Sequence, residues 1–288
     1  MTILRDLILL SRPRHWAKNA FVLMPVPFGV AAGADIDVLR FLTGLVGFGL
    51  VSSAVYAFND VRDAAQDRLH PDKRDRPIAS GRIGPGLAIG WSCLLLAGSL
   101  IAAYAAAGGS ALAIVIAYAV INMIYSLGAK DLALIDVFLL SAGFVLRVLF
   151  GCALIAVPPS NWLLLCSSTL ALFLSLAKRR SDLARGLGSE QRPSLAGYSL
   201  GFLDLAIGIS AGMTLLGYAL YCIEAEVLVP GREFASIPFV LFGVLDYLRV
   251  ALVTDRAGSP VEMILSSPSL QASGLGWAVA TGWSLGLF

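Results

Sequence analysis

Residues 59–81 read NDVRDAAQDRLHPDKRDRPIASG, and the acids in this segment are spaced for a helix. Asn59, Asp63 and Asp67 recur every fourth residue and Asp60 stands three before Asp63, so all project from one helical face with about 6 Å between successive turns. Carboxylates sharing a face repel one another unless a cation lies between them, and no lysine is interleaved on this edge. Hard oxygen donors with room for water suit magnesium (Mg2+), which typically bridges to substrate phosphates. The expected ligand is therefore a diphosphate bound through metal. His70, Lys73, Arg74 and Arg76 follow directly, with donors for phosphate oxygens the metal leaves uncovered. A solvated, mixed-charge loop is the plain alternative, and the helical register of the acids weighs against it.

The elements that must hold this edge follow from composition. With 58% hydrophobic and 14% charged residues in 288, and a mean hydropathy of +0.81, the chain carries more apolar surface than one globular core hides, so lipid must solvate it. A membrane helix needs about 20 mostly apolar residues. Nine stretches qualify: 16–34, 39–58, 87–107, 111–127, 133–157, 162–177, 203–221, 237–254 and 270–288. A β-barrel would alternate polarity in segments of about ten residues, and a soluble core helix would carry a polar stripe; these runs do neither. The expected fold class is an all-α integral membrane protein, one transmembrane domain over residues 1–288, with loops at 59–86 and 178–202 carrying the active site.

The first stretch contains Lys18, Asn19, Pro25 and Pro27, which predicts a broken helix facing the bundle interior. Residues 1–15 place Leu4, Leu7, Ile8 and Leu10 near one face, with Arg5, Arg12 and Arg14 among polar positions, as in a helix lying at the interface. The competing reading as a signal peptide lacks a small-residue cleavage site and meets too many charges after the apolar stretch. Cys93, Cys152, Cys166 and Cys222 fall inside spans without paired spacing and read as packing residues. Gly44, Gly47 and Gly49 lie within a span and predict close helix packing, not a nucleotide loop.

Charge orients the bundle. Arg5, Arg12, Arg14 and Lys18 precede or open the first span, Arg62, Arg68, Lys73, Arg74, Arg76 and Arg82 follow the second, and Lys130 follows the fourth. Lys178, Arg179, Arg180, Arg185 and Arg192 follow the sixth and Arg256 the eighth, whereas Arg40 and Arg232 alone fall on the opposite side. This positive-inside asymmetry predicts a cytoplasmic amino terminus and active site and an external carboxyl terminus, in a bacterial inner (plasma) membrane. A basic inner face attracts anionic lipid or phosphorylated metabolites; nucleic acid is excluded because no soluble domain remains to hold it.

The pattern NDxxDxxxD followed by HPxKxxRPIASG resembles the first Asp-rich motif of the UbiA-type prenyltransferase superfamily. Further segments are similar to its decaprenyl-phosphate phosphoribosyltransferase branch: RPRHWAKN at 12–19, YSLGAKDLALID at 125–136, LLSAGFVLRVLFG around Arg147, AKRRSDL at 177–183 and GSPVEMIL at 258–265. The resemblance implies nine transmembrane helices around a central lipid-accessible cavity. It also implies magnesium-dependent transfer of 5-phosphoribose from phosphoribosyl diphosphate (PRPP) to a polyprenyl (decaprenyl) phosphate, releasing diphosphate. It further implies Asn59, Asp63 and Asp67 as metal ligands, with Asp63 and Asp67 catalytic. Transfer of a polyprenyl chain from its diphosphate to an aromatic or other acceptor is the competing activity, and a non-enzymatic lipid transporter is the alternative of a different class. Association into a homo-oligomer is left open by the sequence.

Ordinary prenyltransferases usually carry a second motif resembling DxxxD after the sixth span, and here that loop begins Lys178, Arg179, Arg180, Ser181, Asp182. Bases in place of acids match the larger anionic load of PRPP plus a lipid phosphate. The remaining expected substrate contacts are Lys18, Asn19, Arg62, His70, Lys73, Arg76, Tyr125, Lys130, Asp136, Arg147, Lys178 and Arg179. Arg147 stands deep in a span, where a charge must face the bundle interior or a wet cavity. For Lys18 beside Trp16, snorkelling to the interface accounts equally well on physics alone. Tyr125, Lys130 and Asp136 flank a short turn and could cap helices instead. Lys178 and Arg179 suit any helix carboxyl terminus.

Overall fold

Where the apolar runs meet good caps, helices form. Asp37 accepts a hydrogen bond from the Arg40 amide (3.0 Å), Ser160 from Leu163 (3.1 Å) and Ser199 from Phe202 (3.1 Å), each satisfying a free amide at a helix start. A computed structural model describes residues 3–69, 73–188, 190, 192–253, 263–264 and 266–288. Its helices are α1 (Ile3–Ser11), α2 (Ala20–Leu23), α3 (Val26–Ala31), α4 (Val38–Arg62), α5 (Ala64–Leu69), α6 (Pro85–Ser126), α7 (Ile135–Leu154), α8 (Asn161–Ala184), α9 (Leu200–Glu224), α10 (Ile237–Val253) and α11 (Pro268–Ser284). Short 3-10 turns cover Pro13–Asn19, Ala129–Asp131 and Pro193–Gly197, and no strand occurs among the described residues.

Among the described residues five helices, α4 and α6 to α9, are long and apolar enough to cross a membrane. The longest, α6, has 42 residues but leaves helical geometry at Ala107 and at Gly108, whose φ of 66° favours glycine. Its two legs correspond to the predicted spans 87–107 and 111–127. The predicted first span is broken, as its prolines require: a 3-10 turn runs into α2, and Pro25 separates α2 from α3. The chain doubles back there against α7, and a Cβ on Gly151 would lie 2.1 Å from the Val22 carbonyl oxygen. Gly151→Ala is therefore expected to lower stability by about 1–3 kcal/mol through overpacking, read as a lower thermal unfolding midpoint of the purified protein. Gly44, Gly47 and Gly49 bear out close packing, with Leu154, Ala102 and Trp16 respectively against the space a Cβ would fill.

One packed cluster around Phe48, Val115 and Phe150 joins α4, α6 and α7, and another around Phe173, Leu203 and Tyr247 joins α8, α9 and α10. Helix α1 lies across α4, burying Asp6 and Leu10 while Ile3, Leu4 and Ile8 stay exposed on the outside. Arg82 donates to Asp6 (3.0 Å) and Trp91 to Ser11 (2.9 Å), so α1 is strapped to the segment before α6 and to the first turns of α6 itself.

Candidate active site

Beyond α4 the helical hydrogen bonds continue: the Asp63 amide donates to the Asn59 carbonyl and the Asp67 amide to the Asp63 carbonyl, both at 2.8 Å. The four-residue spacing of Asn59, Asp63 and Asp67 thus falls on successive helical rungs. After α5 the chain folds back, burying Ile78 and Ile83 with Leu10, Ala57 and Ala88. That return brings Arg76 over the acids, where Nη1 donates to Asp67 (2.6 Å) and lies 3.3 Å from Asp60. Lys73 stands 3.9 Å from Asp67, Arg12 pairs with Asp60, and Lys130 donates to Asp63 (2.8 Å). Ser126 donates to the Asn59 amide oxygen, and Arg62 reaches the Ser126 carbonyl at 3.5 Å. His70 lies outside the described residues.

Each acid therefore has a base beside it, which differs from the edge free of paired bases expected from the local sequence. The reason is tertiary: Arg12, Arg76 and Lys130 come from other segments, and buried carboxylates such as Asp60 and Asp67 (both 3% exposed) must be neutralised. The donor set still fits a divalent ion, because Asn59, Asp63 and Asp67 offer only hard oxygens on one helical edge. No group of three or more His, Cys, Asp or Glu side chains forms a metal site among the described residues; the expected cradle combines an amide with two carboxylates.

A second knot lies at the same end of the bundle. Asp136, fully buried at the start of α7, accepts from Ser194 (3.0 Å) and Tyr198 (2.7 Å) and pairs with Arg179 at 3.3 Å. Burial, reinforced by donation to Asp136, holds the Tyr198 phenol above its usual range. Arg179 also donates to Asp182 (2.9 Å), and Arg192 donates to the Tyr125 hydroxyl (2.7 Å). Asp136 and Arg179, expected among substrate contacts, are thus turned onto the protein itself. Arg180 likewise donates to Asp204 (3.0 Å) and the Ala251 carbonyl (3.0 Å). Of the three consecutive bases, only Lys178 has no ion pair with a carboxylate among the described residues. Local sequence contained no signal for Tyr198 or Ser194 as partners; Arg12, Ser126, Asp182 and Arg192 lay in segments already singled out by charge or resemblance.

A third group lies deeper. Arg147, 4% exposed, donates to Asn19 (3.1 Å), Gly143 (2.8 Å), Ser52 (3.4 Å) and Tyr118 (2.9 Å), and stacks within 4.8 to 5.5 Å of the Phe48, Tyr118 and Phe144 rings. Lys18 reaches the Tyr56 hydroxyl at 3.4 Å, and His15 Nδ1 lies 3.2 Å from the same oxygen. Partial burial first, then the charges of Lys18, Arg12, Lys178 and Arg76, push His15 down to about 4. A histidine titrating near 6.5 when unfolded binds its proton before the folded one does, so His15 lowers stability as pH falls from 6.5 towards 4 and has no effect above. A nitrogen NMR titration of labelled protein is expected to find it neutral at pH 6, and a phosphorylated ligand bound nearby should raise its pKa.

Among the described residues the chain is an all-helical bundle of membrane-length helices, and one end of it gathers oxygen donors and bases around a helix terminus. Comparison with known proteins agrees. The sequence pattern of the UbiA prenyltransferase family matches residues 20–257, and the chain belongs to that family and is a transferase. Decaprenyl-phosphate phosphoribosyltransferases of Corynebacterium glutamicum and Mycobacterium tuberculosis are each 33% identical, covering 92% and 94% of this chain and 82% and 91% of theirs. A UbiA homolog from Archaeoglobus fulgidus bound to GPP and Mg2+ superposes with a TM-score of 0.73 at 19% identity, covering 97% of this chain and 98% of that one, which is a likeness of fold.

Proposed function

We propose that this protein transfers 5-phosphoribose from PRPP to a polyprenyl phosphate, releasing diphosphate, at the inner face of a bacterial plasma membrane with the amino terminus cytoplasmic. The observation that carries the reading is the gathering of bases from three other segments, Arg12, Lys73 with Arg76, and Lys130, on the acids of the edge that holds Asn59, Asp63 and Asp67. A single diphosphate head would need fewer cations than a donor with two phosphorylated positions and a phosphorylated acceptor. The similarity to named phosphoribosyltransferases over more than nine-tenths of the chain supports the same donor.

Asn59, Asp63 and Asp67 would hold magnesium, which supplies charge neutralisation of the departing diphosphate. Lys130, Arg76 and Lys73, at present on the carboxylates, are placed to exchange those partners for diphosphate oxygens. The bond from the anomeric carbon to diphosphate breaks with its electron pair going to diphosphate, and an oxygen of the lipid phosphate forms the new bond to that carbon. The acceptor is already anionic at neutral pH, so no general base is required, only positioning. Asp136, Arg179, Asp182 and Tyr198 brace the ends of α7 and α8 and act as positioning residues.

Purified protein given labelled PRPP and polyprenyl phosphate with Mg2+ is expected to form lipid-linked phosphoribose. Turnover only with an allylic diphosphate and an aromatic acceptor would reject this donor, and ligand movement without bond cleavage would indicate a transporter.

A further inference from the structure

Helix α1 carries apolar side chains on two sides. Leu10 is buried with Ala57, Ile78 and Ile83, whereas Ile3, Leu4, Ile8 and Leu9 on the outside are 48% to 65% exposed. Arg5 within α1 and Arg14 just after it are exposed as well. A helix of nine residues is marginal in water by itself, and large apolar side chains left in water add nothing to it. Sunk into the headgroup boundary of a leaflet, the same side chains hold the helix in place, and the two arginines are drawn to anionic lipid.

The inner side of α1 grips the segment that carries Arg76. Arg82 Nε donates to Asp6 (3.0 Å) while its Nη2 donates to the Asp75 carbonyl (2.9 Å), so one guanidinium spans α1 and the residue before Arg76. Ile78 and Ile83 of the same segment pack in one cluster with Leu10. At its other end α1 runs into Arg12, held at φ 47° and ψ 58°, whose side chain pairs with Asp60; Asp60 also lies 3.3 Å from Arg76. A non-glycine residue persists in that left-handed region only where its surroundings fix it. Here Ser53 donates to the Ser11 carbonyl (2.7 Å) and Trp91 to the Ser11 hydroxyl (2.9 Å). Arg76 is thus framed by contacts that begin on or beside α1, through Asp75 before it in the chain and Asp60 across from it.

Resting on the function proposed above only in that the edge of Asn59, Asp63 and Asp67 receives a diphosphate, we infer that α1 is a lipid-surface platform that sets the position of Arg76 on that edge, with Arg82 as the link. The partner is the headgroup layer of an anionic leaflet. Ile3, Leu4, Ile8 and Leu9 enter it, which holds Asp6 against Arg82. Arg82 in turn fixes the Asp75 carbonyl, so Arg76 stays within reach of Asp67 and of an incoming diphosphate. Asp6 and Arg82 touch no substrate and are positioning residues.

The full-length protein is placed in phosphatidylglycerol nanodiscs with a nitroxide on Leu4→Cys in a Cys93→Ala background. Oxygen is expected to reach the label more readily than a water-soluble nickel complex does. The reverse order, or shielding from both by a protein partner or a second copy, overturns the platform. Hydrogen exchange and the binding of inorganic diphosphate with Mg2+ test the link. Leu4→Asp with Ile8→Asp should speed exchange of the amides in 75–83 by about fivefold or more, leave α8 and α9 at wild-type rates, and weaken diphosphate binding by roughly tenfold. Arg82→Lys keeps a cation for Asp6 but puts its donors on one nitrogen in place of a fork, so it should give the same two changes with α1 still protected. Wild-type exchange in 75–83 with wild-type diphosphate binding in either variant overturns the inference, and so does loosening that includes α8 and α9 in both. If wild type binds no diphosphate, the proposed function fails, while exchange in 75–83 still decides the platform.

Discussion

Asp63→Asn is expected to reduce transfer by a factor on the order of a thousand, to the floor of a labelled-donor assay, while the protein stays folded. The two halves of this expectation have separate physical causes. The Asp63 side chain is 32% exposed and its lysine partner Lys130 25%, and a partly hydrated pair of this kind contributes about 0 to 1 kcal/mol. Stability should hardly move. Catalysis should, because the carboxylate is one of three oxygens proposed to neutralise departing diphosphate. Lys130→Met is the control: it removes the same ion pair, keeps the metal ligand, and should raise KM for PRPP more than it lowers kcat.

Asp136→Ala is expected to produce the reverse pattern, a loss of about 3–5 kcal/mol in stability with lost activity as a secondary result. Its partners explain the size. Asp136 is fully buried, and its removal leaves Arg179, 1% exposed, with Asp182 as its remaining acid, while Ser194 and Tyr198 lose their acceptor. Tyr198→Phe removes one hydrogen bond of this knot and should cost about 1–2 kcal/mol. Unfolding midpoints of Asp136→Ala, Asp136→Asn and Tyr198→Phe, measured beside the residual turnover of the folded fraction, decide the matter. A folded Asp136→Ala protein with normal stability and a raised KM would return Asp136 to the substrate contacts.

These two carboxylates also show what was legible in the sequence. The helical register of Asn59, Asp63 and Asp67 is a local property, so spacing alone placed them on consecutive rungs from the end of α4 into α5. Hydrophobic runs of sufficient length located the main helices, and the Gly108 and Gly109 pair fell between two predicted spans where α6 breaks. The prolines at 25 and 27 likewise marked a broken segment. Tertiary pairs were not legible: Arg12 meets Asp60 across 48 residues and Lys130 meets Asp63 across 67, separations at which period and propensity carry no information. Asp136 and Arg179 are expected at the site from the family resemblance, and their burial and mutual pairing emerge only from how α7 and α8 pack. Arg147 was legible as a charge needing an inward environment, but its aromatic surround was not.

Ion and diphosphate are proposed to meet on the edge formed by Asn59, Asp63 and Asp67. A structure of the full-length protein with PRPP and Mn2+ in place of Mg2+, with the metal located by its anomalous scattering, tests it directly. Metal density is expected on the side-chain oxygens of those three residues, bridging to the diphosphate. Metal and PRPP bound elsewhere, with Lys130 and Arg76 still closed on the carboxylates, would contradict it.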